Sequence, residues 1–141
     1  MTTNKTNNWI YFGIFLPNSA KAKNIQTLQK YKVNIPQDWK VFNHHMTIAF
    51  NNGSELANKL FQHYEKQITS QENVTITVNG IGISKDAIAL RIDYNLPIAN
   101  KIPHVTIATP IKGKPVNSNF ITKWIDIEPY QIVGKFNVFN K

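Results

Sequence analysis

The chain has 141 residues, a length that predicts one domain with a core large enough to fold alone. Its hydrophobic share of 42% and aromatic share of 11% are typical of a globular protein and exclude a disordered one. With 16 basic and 8 acidic side chains the net charge is +8, which indicates a polyanionic partner. The absence of cysteine excludes disulfides, thiol catalysis and thiolate metal sites.

No stretch reaches the roughly 20 apolar residues of a membrane span, and the polar start MTTNKTNN lacks the layout of a secretion signal. We therefore expect a cytoplasmic protein (in the host cytoplasm if its source is viral) that is monomeric, with no membrane association and no stable protein partner. Residues 1–8 are expected to be flexible, and residues 9–141 to form a single domain.

The first half of the chain predicts two strands and two helices. Residues 9–16, WIYFGIFL, favour a buried strand in the middle of a sheet. Ser19 is the expected N-cap of a helix over about residues 20–32, with Ile25 and Leu28 on its apolar face. Residues 45–50 predict the second strand, and Ser54 starts a helix over about residues 55–68 whose apolar face has Leu56, Leu60, Phe61, Tyr64 and Ile68.

The second half predicts strands over residues 73–79 and 87–93 with a glycine-containing connection between them. A further strand is expected over residues 104–109, before a loop with Gly113 and Pro115, and a last strand over residues 132–139. Strands and helices in this order predict a single α+β domain.

A short internal repeat is the most informative feature of the sequence. His45-Met46-Thr47-Ile48-Ala49 recurs as His104-Val105-Thr106-Ile107-Ala108, and both copies lie in strand-like runs. Because strand side chains alternate between two faces, each histidine shares a face with the threonine two positions later. A polar pair on an otherwise apolar strand is costly to bury without partners, so we expect the two faces to line one solvated cleft.

Two histidines and two threonines suit the cleavage of a phosphodiester. One histidine can take a proton from the attacking oxygen and the other can give one to the leaving oxygen, since both forms are populated near neutrality. The threonine hydroxyls can bind the non-bridging phosphate oxygens. This scheme needs no metal and no cofactor, and it predicts a bell-shaped rate profile centred near neutral pH.

The paired motifs resemble those of the 2H phosphoesterases, a family defined by two His-x-Thr/Ser motifs, and here they are 59 positions apart. Residues 104–119, HVTIATPIKGKPVNSN, look most like the branch with tRNA-ligase phosphodiesterase domains and related RNA-repair proteins. The resemblance implies two pseudo-symmetric β-α-β-β-like lobes that form a bilobal sheet around a central cleft. It also implies metal-independent catalysis by the residues His45, His104, Thr47 and Thr106.

Other residues are candidates for substrate binding. Tyr11 or Phe12 can stack on a base, since one of the two faces the cleft. Lys112 and Lys114 follow the second motif and can meet phosphates. Ser118 and Asn119 either border the pocket or cap a short helix, and we favour the cap. Two other histidines are not expected in the site, because alternation points His44 away from His45, and His63 lies on the solvated side of a helix.

Three functions remain open from the sequence. A phosphodiesterase can hydrolyse cyclic or 2′-5′-linked oligonucleotide immune signals, which would make the protein an antagonist of host defence, or 2′,3′-cyclic phosphate ends of RNA. We favour the signals, because a small domain without a fused ligase or kinase fits that role. The alternative is a non-catalytic nucleic-acid or nucleotide binder, which rests on the net charge of +8 and the aromatic run.

Overall fold

The computed structural model describes residues 9–140, which form seven strands, two α-helices and one 3-10 helix. The expected flexibility of residues 1–8 lies outside this range. In chain order the elements are β1 (Trp9–Phe15), α1 (Asn18–Lys30), β2 (Trp39–Val41), β3 (His45–Phe50), α2 (Glu55–Ser70), β4 (Asn73–Ile83), β5 (Ile88–Asp93), β6 (His104–Pro110), a 3-10 helix (Pro115–Phe120) and β7 (Trp124–Asn140). The expected α+β class is confirmed.

The strands form one antiparallel sheet that closes on itself. The order is β6-β3-β1-β7-β4-β5, and β5 pairs again with β6, so six strands make a ring. The short strand β2 pairs with the end of β6, from Ala108 to Pro110. The prediction that the first strand lies inside a sheet is confirmed, since β1 pairs with β3 on one side and β7 on the other.

One face of the sheet packs against α2 and forms the core. Phe12 of β1 lies edge-on to Phe61 of α2 at 5.6 Å between ring centroids, and Tyr64 of α2 meets Phe136 of β7 at 5.5 Å. All four side chains are buried. The period of two in the strands and of about 3.6 in the helix brings these apolar faces together.

The predicted N-caps and apolar faces of α1 and α2 are confirmed only in part. Ser54 caps α2, because its hydroxyl accepts a bond from the backbone N–H of Ala57 at 3.1 Å. The cap predicted at Ser19 is wrong: α1 starts after Pro17, which occupies the N-cap position and has no side-chain acceptor to offer. Leu56 is 57% exposed, so its expected place on the apolar face of α2 is also wrong.

Strands β4 and β7 are longer than predicted. Gly80 and Gly82 lie inside β4 rather than in a connection, opposite Arg91 and Ala89 of β5. Side chains of neighbouring strands occupy the space above both glycines, so strand packing explains their small size there. β7 begins at Trp124, eight residues before the predicted start, and pairs with β4 along this added length.

A register shift in β1 follows Phe12, where Gly13 lies opposite Thr47 of β3. A Cβ on Gly13 would collide with the Met46 carbonyl oxygen, so the close approach of β1 and β3 requires glycine.

Among the helices of residues 9–140, none has the length and apolar content that crossing a membrane requires.

Candidate active site

The register between β3 and β6 brings the two repeated motifs together. Met46 lies opposite Val105, and in each strand the motif histidine and threonine flank this central residue. An antiparallel register therefore sets each histidine beside the threonine of the other motif. The neighbours are His45 with Thr106 and His104 with Thr47. The histidines occupy opposite corners of a four-residue square, with roughly 7–8 Å between diagonal positions.

These four side chains line one cavity of about 470 Å³. Three further residues that the sequence singled out line the same cavity, namely Tyr11, Lys114 and Asn119. The cavity is thus bounded by strands from both halves of the chain and by the segment that follows β6. A volume of this size falls within the usual range for small-ligand sites, roughly 300–1,000 Å³.

Three residues of the substrate-binding set predicted from the sequence do not line the cavity, namely Phe12, Lys112 and Ser118. Phe12 has no exposed surface and packs among the core aromatics, so its inclusion was wrong and Tyr11 is the residue of that pair that faces the cleft. Strand alternation explains the difference, since neighbouring residues point to opposite faces. Lys112 is exposed in the loop after β6 and does not line the cavity.

Ser118 contacts the site through another residue. It is buried within the 3-10 helix, and its hydroxyl lies 2.9 Å from that of Thr106. The favoured helix-cap role is wrong, because Lys114 occupies the N-cap position of this helix. Thr106 also donates to the Pro115 carbonyl at 3.3 Å, so the 3-10 helix fixes its hydroxyl. Among residues 9–140 the Thr47 hydroxyl has no such partner.

The backbone holds His104 in a defined tautomer. Its Nδ1 lies 2.7 Å from the Ile102 carbonyl oxygen, which can only accept, so Nδ1–H donates this bond. In the neutral ring Nε2 is then free to accept a proton. Burial lowers the pKa of His104 below 6.5, although the bond to Ile102 opposes this effect by stabilising the charged ring.

His45 is the more strongly perturbed of the two. Burial lowers its pKa to about 4, and the nearby rings of His44 and His104 add to the effect. The ring is stacked between aromatic neighbours, with Tyr11 at 4.6 Å and Phe15 at 5.3 Å between centroids. This packing fixes the orientation of the imidazole against the cleft.

The expected orientation of His44 was wrong. It lines the cavity with His45, and the two Nδ1 atoms lie 2.9 Å apart, so one ring donates to the other. The reason is local: Asn43 has a left-handed backbone with φ of 54°, and β3 begins only at His45. Alternation therefore does not extend back to His44. Burial and the charges of Lys21 and Lys40 lower the pKa of His44.

Sequence reasoning also missed other residues that line the cavity, among them Lys40, Phe50 and Asn100. Lys40 lies in β2, whose three residues give too short a pattern for prediction. Asn100 belongs to the irregular segment before β6. Strand alternation from His45 predicts Phe50 on the opposite face. The register shift between β1 and β3 leaves Ile48 without a partner residue, and Phe50 therefore lies on the cavity side. Within residues 9–140, no cluster of three or more His, Cys, Asp or Glu side chains could hold a metal ion.

Comparison with known proteins finds similarity at the level of structure. No protein-family model and no curated protein matches the chain. The crystal structure of a fungal RNA kinase matches with a TM-score of 0.60 at 13% sequence identity. The match covers 94% of this chain and 46% of that one, so this chain spans about half the length of its neighbour. At this identity the likeness establishes a common fold.

Proposed function

We propose that the protein is a metal-independent phosphodiesterase of the 2H type, which hydrolyses RNA-type phosphodiesters at the cavity between β3 and β6. The observation that supports this best is the diagonal placement of His45 and His104 in one cavity, each beside the threonine of the other motif. In this proposal the two motif strands belong to two pseudo-symmetric lobes within a single domain over residues 9–141.

The geometry suits an in-line displacement at phosphorus. A neutral histidine takes a proton from the attacking water, while the protonated histidine gives its proton to the departing ribose oxygen. The new P–O bond forms on one side of the phosphorus as the old one breaks on the other, which fits catalysts at opposite corners. The hydroxyl of Thr47 and the ammonium group of Lys114 bind the non-bridging oxygens and the charge that grows there. Thr106 joins them when its hydroxyl proton turns from the Pro115 carbonyl to the phosphate.

Substrate binding changes the protonation state of the two histidines. Burial lowers the pKa of both histidines, so both rings are neutral in the free protein at pH 7. An anionic phosphate between them favours the charged ring and raises these pKa values. Binding therefore recruits the proton that the leaving oxygen needs.

The fold neighbour favours an RNA substrate, since that neighbour is a fungal RNA kinase. Two RNA-type substrates match the site chemistry: cyclic or 2′-5′-linked oligonucleotide signals, and RNA ends with a 2′,3′-cyclic phosphate. Both present a phosphate whose leaving group is a ribose oxygen. The cavity of about 470 Å³ accepts one nucleotide with its phosphate.

The test is turnover of a substrate panel in excess EDTA, with products identified by mass. The panel contains 2′,3′-cyclic mononucleotides, RNA with a 2′,3′-cyclic phosphate end, 2′-5′ oligoadenylate and cyclic di- and trinucleotides. We expect His45→Ala and His104→Ala each to lower turnover by about 100- to 10,000-fold. The double variant should be little worse than either single one, because the histidines act as a unit. His63→Ala, on the exposed side of α2, is the matched control.

Two results would contradict the proposal. One is wild-type turnover that survives both single substitutions. The other is a protein that binds the panel tightly, loses affinity steeply with salt and cleaves nothing. That second result would identify the site as a nucleic-acid or nucleotide binding module instead.

A further inference from the structure

The sheet face that carries His45 continues beyond the cavity, across β1 to β7. Tyr11 of β1 lies directly opposite Phe50 of β3 and Phe139 of β7. The ring centroid of Tyr11 is 5.6 Å from that of Phe50 and 5.1 Å from that of Phe139. Three aromatic rings thus form a row across three neighbouring strands, which spans on the order of 10 Å. We call these three residues the aromatic row.

Two rings of the aromatic row are exposed, and Tyr11 between them is half-buried. Phe50 is 49% and Phe139 is 48% exposed, whereas the opposite face of the same strands is buried against α2. Large exposed rings side by side on a sheet indicate a surface that binds something. The row is also continuous with the candidate active site, because Tyr11 stacks on His45 at 4.6 Å.

A second cavity, of about 610 Å³, lies further along this face between α1 and β7. Phe15, which stacks on both Tyr11 and His45, lines it and so connects it to the active site. Its polar lining consists of lysines, amides and one hydroxyl, with no carboxylate: Ser19, Lys23, Gln71, Asn73, Gln131, Lys135 and Asn137. This cavity therefore suits an anion with hydrogen-bonding groups.

Lys135 is the freer of the two lysines in this second cavity. It is exposed and lies opposite Phe15 in the pairing of β1 with β7. Lys23 instead donates to the Gln131 carbonyl at 3.2 Å and lies over the Tyr130 ring at 5.4 Å. We therefore assign the main electrostatic contact in this cavity to Lys135.

We propose that the active-site cavity, the aromatic row and the second cavity form one track for single-stranded RNA, an inference that rests on the proposed function. The reactive 3′ end lies at His45 and His104. The preceding nucleotides stack on Tyr11 and Phe139, and the strand continues towards Lys135 on its 5′ side.

Single-stranded RNA is the occupant that matches all three parts of the track. Every base has a π-face that stacks on aromatic rings, and lysines along a groove follow the phosphates. The net charge of +8 adds long-range attraction for such a polyanion. A cyclic dinucleotide has no strand end that could extend from the first cavity along the aromatic row. The track therefore favours RNA ends over cyclic signals, which reverses the preference drawn from the sequence.

A length series tests the track. The substrates are a 2′,3′-cyclic mononucleotide and RNA oligomers of increasing length that end in a 2′,3′-cyclic phosphate. We expect kcat/KM to rise by about tenfold or more from the mononucleotide to the octamer. Phe139→Ala and Lys135→Ala should remove most of this gain and leave mononucleotide turnover within about twofold, since neither residue contacts the reactive phosphate in this proposal.

Matched variants separate the track from general effects. Phe139→Tyr retains a π-face and should retain the length dependence, whereas Phe139→Leu retains apolar bulk and should lose it. Phe120, which is 76% exposed, and Lys66, which is exposed on α2, line neither cavity. Phe120→Ala and Lys66→Ala should therefore leave the length dependence unchanged, and thermal melting of each variant reports whether it is folded.

Failure of the track and failure of the proposed function give different results. Equal kcat/KM for mononucleotide and octamer would overturn the track while histidine-dependent turnover still supports the function. Length-dependent RNA binding that Phe139→Ala abolishes, without any turnover, would support the track and overturn the function. A labelled octamer that binds no more tightly than the mononucleotide would overturn the track in either case.

Discussion

The chemistry of His45 is set by its surroundings more than by its motif. An isolated imidazole titrates near 6.5, but burial and two neighbouring rings lower the pKa of His45 to about 4. His104 is shifted in the same direction, mainly by burial. The sequence predicts that the two histidines act as an acid–base pair, and their lowered pKa values change the pH range expected for such a pair.

The rate profile should reflect these lowered pKa values. The catalytic form has one neutral and one protonated histidine, so kcat/KM peaks between the two pKa values of the free protein. We expect a maximum between about pH 4 and 6.5, below the neutral value that unperturbed histidines would give. The kcat profile should lie at higher pH, because bound phosphate raises both pKa values. Rates from pH 4 to 9 with saturating and limiting substrate check both expectations.

His44 should influence the titration of His45. Its ring is 2.9 Å from His45 between Nδ1 atoms and is one cause of the lowered pKa. In His44→Ala we expect the pKa of His45 to rise, and the acid limb of kcat/KM to move to higher pH with it. The rise stops short of 6.5, since burial is the largest cause and remains. NMR titration of the His45 ring measures the shift, and an unchanged value would disprove the coupling.

At the scale of elements, the sequence predicted strands and helices better than what joins them. Alternation in HMTIAF and HVTIAT placed β3 and β6 correctly, because period two is a property of the strand itself. Alternation could not reveal the left-handed Asn43 that turns His44 into the site. Nor could it distinguish Tyr11 from Phe12, since residues 9–16 contain no charged or amide side chain that would mark the solvent-facing side of the strand.

The two predicted helix caps provide a matched pair of variants. The Ser54 hydroxyl accepts from the Ala57 backbone, so Ser54→Ala should lower the free energy of unfolding by about 1 kcal/mol. Ser19 caps nothing in α1 and is exposed, so Ser19→Ala should leave stability unchanged within error. Urea unfolding of both variants measures the difference. Equal losses would mean that the cap bond contributes nothing to stability.

At the scale of the whole molecule, the sequence could not predict that the six strands close into a ring. The pairing of β5 with β6 joins segments whose alternation looks the same whether or not they are neighbours. Residues from distant segments, such as Lys40 and Asn100, reach the cavity only through this closure and the irregular segments around it. The sequence could predict that the two motif histidines share a cavity because their motif repeats, whereas the other residues of the cavity have no repeat to reveal them.

Stability of the whole molecule should fall in mild acid. His44, His45 and His104 all have lowered pKa values in the folded protein, so the unfolded chain binds more protons below pH 6.5. Their contribution is fully present above pH 6.5 and is lost as the pH falls towards about 4. We expect the melting temperature to fall from pH 7 to pH 4.5, and to fall less in His45→Gln. Calorimetry at both pH values tests this, and equal falls would contradict it.

The short pairing between β3 and β6 determines where the closed sheet can open. These strands share the register pair Met46–Val105, whereas β4 and β7 pair along most of their length. Separating β3 from β6 therefore breaks fewer backbone bonds, and the bonds that Phe42 and Asn43 donate to β6 remain as a hinge. Local opening of a folded protein is easiest where few backbone hydrogen bonds join neighbouring strands. The closed sheet therefore opens most easily between β3 and β6, the two strands that bear the histidines.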